Sequence, residues 1–489
     1  NRESPFLLTP FDERAFPRRS DGLKKGTQRE KRGQKKYDMR VYMDGCFDLA
    51  HFGHANALRQ ARHIGEKEDF DDDAFNAKDD EDDFEDCEKK DGKNATTTTR
   101  TTTCELVVGI VSDAEIARCK GPPVVPEEER VKCVKAVKWV DDVITNVPYE
   151  LTPEFVERLF SGTHVASRRF FCTSLLFSSL LFLSFLTLSR YVSLFTPADE
   201  YGIDCIVHGD DPCYLPDGTD AYAIPKKLGK YREIKRTEGV STTDLVARLL
   251  EFADSSDGSK DTTKSSSDGN SKRHESRFCT TASRIAQFAA KVSYSKTSKI
   301  HTEDKQRKRK GKEEKRKNVN AKNNDTCCYV VGAFDVFNAG HVELLEECSV
   351  AADKVICAVI ADEYLTSDQT NQPPPMLNQS ERAMSAIACR HCDDVVVGAP
   401  ARITDDICKT FNVTAVVFED DASITAQDRK VCEKNGVEIL SVREKHFSRK
   451  KITIAKRVQA NRALFEARQK RKMASEAAYY EQKSFVAEE

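Results

Sequence analysis

The sequence has no excess charge of either sign, no ordered spacing of its cysteines and little apolar material. Lys and Arg number 77 against 80 Asp and Glu, a net charge of −3. A dedicated nucleic-acid binder needs a basic surplus, so that class is excluded. The 17 cysteines are odd in number and irregularly placed. That excludes a secreted disulfide framework and points to reduced thiols in a cytosolic setting. With 39% hydrophobic and 32% charged residues, the 489-residue chain is too polar to be packed throughout. Compact domains, about two to four by length, are expected between solvated insertions. The chain begins at Asn1, so a targeting signal is neither confirmed nor excluded.

Charge is unevenly spread, and its runs mark boundaries. Residues 18–40 hold ten basic and three acidic side chains with no apolar period, so 1–37 reads as a flexible basic arm. Residues 69–91 hold thirteen acids and three bases and run into a Thr-rich stretch ending at Thr103. Self-repulsion leaves such a segment without a core. Residues 254–326 are rich in Ser, Lys, Thr and Asn and read as a disordered, low-complexity interdomain linker.

No charged residue occurs from Phe170 to Ser189, and Leu and Phe dominate there. A membrane-spanning helix needs about 20 such residues. Six of the nineteen residues from Phe170 to Leu188 are Ser or Thr, however. A span would also put motifs that belong to one domain on opposite sides of a bilayer. An insertion is therefore expected, not a membrane anchor.

The chain contains one unit twice. Gly45-Cys-Phe-Asp-Leu-Ala-His-Phe-Gly-His54 and Gly332-Ala-Phe-Asp-Val-Phe-Asn-Ala-Gly-His341 agree at five of ten positions, at an offset of 287. Glu129-Arg130 and Asp141-Asp142-Val143 recur as Glu381-Arg382 and Asp393-Asp394-Val395 at an offset of 252. Val207-His-Gly-Asp-Asp211 recurs as Val417-Phe-Glu-Asp-Asp421 at an offset of 210. The falling offset places two insertions in the first copy, at about 69–103 and 160–200. Loops tolerate such lengthening at modest entropic cost. The expected domains are 38–253 and 327–489, the latter ending in a charged helix from Arg457 to Gln482.

Short apolar runs ending in Gly or polar residues predict strands at Arg40–Met43, Leu106–Val111, Asp142–Ile144 and Cys205–His208, with counterparts in the second copy. Helices are predicted from His54 to His63 and from Glu127 to Trp139, and in the second copy from Val342 to Ala352 and from Gln379 to Arg390. The alternation implies an α/β fold of two tandem Rossmann-like domains with parallel sheets. Ligands in such sheets bind at the carboxyl ends of the strands.

Polar motifs fall at those ends. His51-Phe52-Gly53-His54 opens a helix, where Gly53 lets backbone approach a phosphate and the helix N-terminus adds N–H donors. A helix start that happens to hold two histidines is the plainer alternative. Lys120-Gly-Pro-Pro123 follows the second strand. His208-Gly-Asp-Asp211 ends another. Arg236-Thr-Glu-Gly-Val-Ser-Thr-Thr-Asp244 leads into a helix that Ser241 or Thr242 can cap. Two His, one Lys and one Arg meeting two helix N-termini would form a polyphosphate site. Such a site works by positioning and charge neutralisation in an in-line displacement.

The pair HxGH and RTxGVSTT is similar to the signature of the cytidylyltransferases, within the HxGH nucleotidyltransferase superfamily. The tandem copies, Arg118-Cys-Lys-Gly-Pro-Pro-Val, Lys138-Trp139-Val-Asp-Asp and Val207-His-Gly-Asp resemble the branch that acts on phosphoethanolamine, over about residues 38–253 and 327–480. The resemblance implies transfer of the cytidylyl group of CTP to phosphoethanolamine, with Mg²⁺ accompanying CTP and metal ligands unknown. By the same resemblance His51, His54, Lys120 and Arg236 are catalytic. Gly45, Phe47, Asp48, Gly53, His208, Gly209, Asp210, Thr237, Gly239, Ser241 and Thr242 bind the nucleotide. Asp44 and Trp139 would meet the substrate ammonium, or be a turn carboxylate and a core indole. A cytoplasmic enzyme is implied, with a homodimer and peripheral contact at the endoplasmic reticulum or other membranes left open. A phosphocholine cytidylyltransferase and a non-catalytic nucleotide-binding scaffold are the competing readings.

The second copy departs from the pattern. Asn338 stands for the first His, Phe418-Glu419 for His-Gly, and Ser448-Arg-Lys-Lys-Ile-Thr-Ile454 for the Arg-Thr-Glu-Gly run. Little or no activity is expected of it. Cys389-Arg-His-Cys392 and Cys327-Cys328 have the look of zinc ligands but lack a second pair at suitable spacing, so plain thiols are expected.

Overall fold

The computed structural model describes residues 39–64, 104–161, 201–256, 282–318, 326–365 and 375–474, apart from 212, 216, 238, 295–297, 472 and 473. The basic arm, the acidic insertion and the Phe170–Ser189 stretch lie outside the described residues. Among the described residues no helix is long and apolar enough to cross a membrane.

The first copy runs β1 (Met39–Gly45), α1 (Phe52–Ile64), β2 (Cys104–Val111), α2 (Asp113–Cys119), α3 (Glu127–Ala136), β3 (Asp142–Val147), α4 (Pro153–Phe160), β4 (Cys205–Gly209), α5 (Ala223–Lys227), β5 (Tyr231–Ile234) and α6 (Thr242–Ser256). After α7 (Ala282–Ala289) and α8 (Lys299–Asn318), the second copy runs β6 (Cys327–Gly332), α9 (Ala339–Ala351), β7 (Lys354–Ile360), α10 (Asp362–Leu365), α11 (Gln379–Ile387), β8 (Asp394–Ala399), α12 (Asp405–Thr410), β9 (Ala415–Phe418), α13 (Ala426–Asn435), β10 (Glu438–Leu440) and α14 (Lys451–Ala460). Residues 462–471 are helical again. The single long C-terminal helix expected from the sequence is thus broken at Asn461.

Both sheets are parallel and share one topology, β3-β2-β1-β4-β5 and β8-β7-β6-β9-β10. The chain reverses direction across the sheet between β1 and β4, which opens a crevice at their carboxyl ends. The central strands are apolar on both faces because helices cover both; Leu106, Val107, Val108 and Ile110 are fully buried. The two insertions depart from the ends of α1 and α4 and return at the starts of β2 and β4. That is the amino-terminal end of the strands, opposite the crevice at their carboxyl ends.

The helices predicted to reach Trp139 and Arg390 stop at Ala136 and Ile387. Their next residues turn extended because each copy pairs with the other there. Val137 bridges Cys389. Lys138 N–H donates to Ala388 O at 3.0 Å, and Arg390 N–H donates to Ala136 O at 2.8 Å. The exchange is reciprocal, as in a two-fold dimer interface. Part of the expected linker is also folded. α7 buries Phe288 completely, and Ser298, just before α8, is equally enclosed. Cys327, Cys328, Cys389 and Cys392 are buried free thiols.

One buried guanidinium organises each copy. Arg130 donates to Val125 O at 3.1 Å, Cys46 O at 2.7 Å, Val111 O at 2.9 Å and Asp113 Oδ1 at 2.6 Å. Arg382 donates in the same way to Leu377 O, Ala333 O, Ile360 O and Asp362 Oδ1. Replacing Arg130 by Met strands three backbone carbonyls. Arg130→Met should therefore lower unfolding free energy by about 3 kcal/mol, measured by urea denaturation, and Arg382→Met by a similar amount.

Candidate functional site

The crevice is built from the turns after β1, β2, β4 and β5. After β1 the backbone enters the left-handed region twice, at Phe47 (φ 48°) and Leu49 (φ 51°), and Phe334 and Val336 repeat this at 52° and 51°. The turn folds the Phe47 ring under Gly45, where a Cβ would lie 3.1 Å from it. It also puts that ring edge-on to His54, 5.6 Å between centroids.

The two histidines stack on each other, 3.9 Å between centroids. Gly53 N–H donates to His51 Nδ1 at 3.1 Å. Nδ1 is therefore the acceptor, and the proton of a neutral ring sits on Nε2, a donor. Gly53 is required by packing: a Cβ there would meet Val240 Cγ1 at 2.7 Å and the His51 ring at 2.9 Å. Val240 belongs to the Arg236–Thr242 segment, so the two motifs of the signature touch at this glycine. Asn56 Nδ2 donates to Thr237 Oγ1 at 2.9 Å, joining them again.

Asp210 Oδ1 accepts from Arg236 N–H at 3.0 Å and so ties the end of β5 to the end of β4. Gly239 turns with φ 80°. Ser241 Oγ accepts from Asp244 N–H at 3.1 Å, capping α6. Thr242 Oγ1 donates to Asp48 O at 3.0 Å. The Asp48 carboxylate accepts the N–H groups of Val124 and Val125 at 3.0 and 2.9 Å. It ties the turn after β1 to the Lys120 loop. That loop leaves Lys120 through Gly121 at φ 93°.

A second group lies beside Lys120. Tyr222 Oη donates to Asp44 Oδ1 at 2.7 Å. Burial pushes the Asp44 carboxyl up to about 6, against the Tyr222 hydrogen bond and the Lys120 charge, which pull it down. His208 lies on the Tyr222 ring at 4.4 Å. Its Nδ1–H donates to Gly209 O at 3.0 Å, leaving Nε2 as an acceptor. Burial, and to a smaller degree Lys120 and Lys226, pushes the His208 imidazole below its ordinary range, against Asp211 and the Gly209 hydrogen bond, which raise it. Lys120 Nζ stands 5.1 Å from the Tyr149 ring centre, and Cys213 Sγ lies 3.2 Å from Tyr149 Oη. The wall of Tyr149, Cys213 and Tyr222 was not predicted. These residues follow no periodicity, and Tyr222 arrives through a bridge between Tyr214 and Asp220.

Trp139 is not part of this site. It precedes β3, at the opposite edge of the sheet from the crevice, and is 2% exposed against Phe288, 5.1 Å between centroids. The ammonium-binding role expected for it is corrected to a core role between the copies and α7.

In the second copy the corresponding place is filled by the chain itself. His341 Nδ1 accepts from Asn338 N–H at 3.1 Å, and its Nε2 meets Glu419 Oε1 at 3.0 Å. Glu419 Oε2 accepts from Phe334 N–H at 3.0 Å. Burial alone would raise this carboxyl, but the hydrogen bonds from His341 and the backbone hold it below its ordinary range. Asn338 Oδ1 takes the Gly340 N–H at 2.9 Å. Where the first copy has Gly209, the second has Glu419; the N–H at the helix start is taken by a side chain in both, His51 Nδ1 in the first and Asn338 Oδ1 in the second.

The cytidylyltransferase-like family model matches residues 42–70, 94–248 and 329–462. An ethanolamine-phosphate cytidylyltransferase of Arabidopsis thaliana is 34% identical over 463 residues, covering 93% of this chain and 88% of the relative. One of Dictyostelium discoideum is 32% identical, covering 91% and 98%. A probable choline-phosphate cytidylyltransferase of Schizosaccharomyces pombe is 28% identical but covers 43% of this chain and 37% of the relative.

Adding a methyl at Gly53 should drive His51 and Val240 apart. Gly53→Ala is expected to cost about 1–3 kcal/mol of stability by overpacking, read from the shift in urea midpoint, and to disorder the His51 ring in NMR spectra.

Proposed function

The chain belongs to the cytidylyltransferase-like family and, within it, to the ethanolamine-phosphate cytidylyltransferases; on that premise we propose that it transfers the cytidylyl group of CTP to phosphoethanolamine. A phosphate oxygen of phosphoethanolamine attacks the α-phosphorus of CTP. The bond to the β-phosphate breaks, and CDP-ethanolamine and pyrophosphate leave.

What carries this reading is Asp44, 3% exposed and held by Tyr222, at the strand end beside Lys120. A buried carboxylate next to a cation fits a small zwitterion, with ammonium at one end and phosphate at the other. A primary ammonium can donate to Asp44 and to His208 Nε2; a trimethylammonium has no N–H to give. The aromatic faces of Tyr222 and Tyr149 add attraction for either cation.

In this proposal Lys120 and Arg236 neutralise the reacting phosphates, and His51 donates from Nε2–H to a phosphate oxygen. His54, stacked on His51, does the same from the first turn of α1, whose N–H groups add positive potential. No group is needed to form a covalent intermediate. The work is alignment and charge neutralisation. Mg²⁺ is proposed to enter on the CTP phosphates. Among the described residues no three His, Cys, Asp or Glu side chains gather as a metal cage, and Asp48 and Asp210 are engaged by backbone N–H groups. The proposed setting is the cytoplasm, with peripheral contact at the endoplasmic reticulum or other membranes left open.

The test is product identification with CTP and a panel of phospho-amines. CDP-ethanolamine as the main product is expected, and CDP-choline formed equally well would overturn the substrate assignment. His54→Ala should cut turnover by about 10²–10³-fold, the scale of losing one transition-state donor, with the circular dichroism spectrum unchanged. Asp44 must be ionised to hold the ammonium. Its carboxyl is raised to about 6, so kcat/KM for phosphoethanolamine should fall as pH drops through about 6, and Asp44→Asn should be low at all pH and lack that limb.

A further inference from the structure

We propose that Arg468, carried by the C-terminal helix that follows the second copy, is a positioning residue for the Lys120 loop of the first. The inference rests on the cytidylyl transfer proposed above. It starts from an unequal treatment of two equivalent aspartates. Asp48 and Asp335 follow β1 and β6 at matching positions, and each accepts two consecutive backbone N–H groups, of Val124 and Val125 or of Met376 and Leu377. Both are buried, at 2% and 6% exposure. A buried carboxylate needs a cation as well as hydrogen bonds. Asp335 has one within its own copy: Lys451 Nζ, from the first residue of α14, at 2.9 Å.

The first residue of α6 is Thr242, which is neutral and donates to the Asp48 backbone oxygen instead. The cation comes from 226 residues further on. Arg468 Nη1 lies 3.5 Å from Asp48 Oδ2 and donates to Pro122 O at 3.4 Å. It touches both sides of the loop, the aspartate that holds it and the proline next to Gly121. The helix is anchored for this. Phe465, one turn earlier, is 3% exposed and packs in the same apolar cluster as Val124 and Val125.

Lys120 sits immediately before this clamped segment, so whatever fixes Pro122 to Val125 fixes where the ammonium reaches. Displacements of about 1 Å at a reacting centre cost on the order of a hundredfold in rate. Arg468 touches no substrate; it acts through Asp48 and the loop. The second copy, whose own pocket is filled by Glu419, thereby delivers a part the first copy lacks.

The experiment uses the full-length chain with Arg468→Gln, Arg468→Lys and Arg462→Ala. Arg462 lies on the same helix and pairs with Asp254 at 2.8 Å, away from the loop. Two quantities are read: steady-state kinetics with CTP and phosphoethanolamine, and hydrogen exchange of the Val124 and Val125 amides. Arg468→Gln is expected to lower kcat by about ten- to a hundredfold, leave KM for phosphoethanolamine within about twofold, and speed exchange at both amides. Arg468→Lys should recover most of both, and Arg462→Ala should change neither. Unaltered exchange in Arg468→Gln, unaltered kcat despite faster exchange, or an equal loss in Arg462→Ala would each overturn the proposal. An unsubstituted chain that makes no CDP-ethanolamine would sink the reaction, while the exchange comparison would still decide whether Arg468 holds the loop.

Discussion

A guanidinium sealed inside protein must have its donors met, because an unmatched buried charge costs several kcal/mol. Arg130 meets them with three backbone carbonyls and one carboxylate, drawn from the turn after β1, the end of β2, the start of α2 and the loop before α3. Those are the segments that carry Phe47, Asp48 and Lys120. The site is held in shape by the demands of a residue that never faces a ligand. Arg382 imposes the same arrangement on the second copy, although Asn338 and Glu419 stand there in place of His51 and Gly209. The framework is therefore separable from the particular side chains at the strand ends: it needs three backbone oxygens and one carboxylate, and both copies keep them.

Much of this was legible in the chain. The repeat located both sheets, because parallel strands buried on two faces read as short apolar runs that recur at shifting offsets. The glycine between the histidines was legible as a close approach, although the approaching atoms are the His51 ring and Val240. Other features were hidden because their causes are remote in sequence. Helix α3 ends at Ala136 because residues 388–390 claim the next peptide groups. Trp139 resembled a ligand-binding aromatic in a motif, yet the parallel sheet puts it at the wrong edge. Tyr149 and Tyr222 carry no local signal. They matter only because the connection from β4 to β5 brings the Tyr222 hydroxyl to Asp44, and the segment after β3 brings the Tyr149 ring to Lys120. Within the expected linker, averaged composition concealed Phe288, an apolar anchor in a Ser- and Lys-rich stretch.

The second copy meets the donors at its strand ends with its own side chains. A carboxylate tethered to the protein stands at a local concentration that a free anion does not reach. Glu419 meets the donors that survive, His341 and the Phe334 N–H, and leaves the sheet and its packing intact. These internal bonds are compatible with the same buried arginine and the same left-handed turn.

The reciprocal strand contact at Val137 and Cys389 has one more implication. Two separate chains joined this way would part on dilution, since association depends on the product of their concentrations. Linking the halves through α7 and α8 makes the encounter intramolecular, so the joined form persists however scarce the protein is. It also lets the halves diverge, because symmetry no longer forces every change in one to appear in the other.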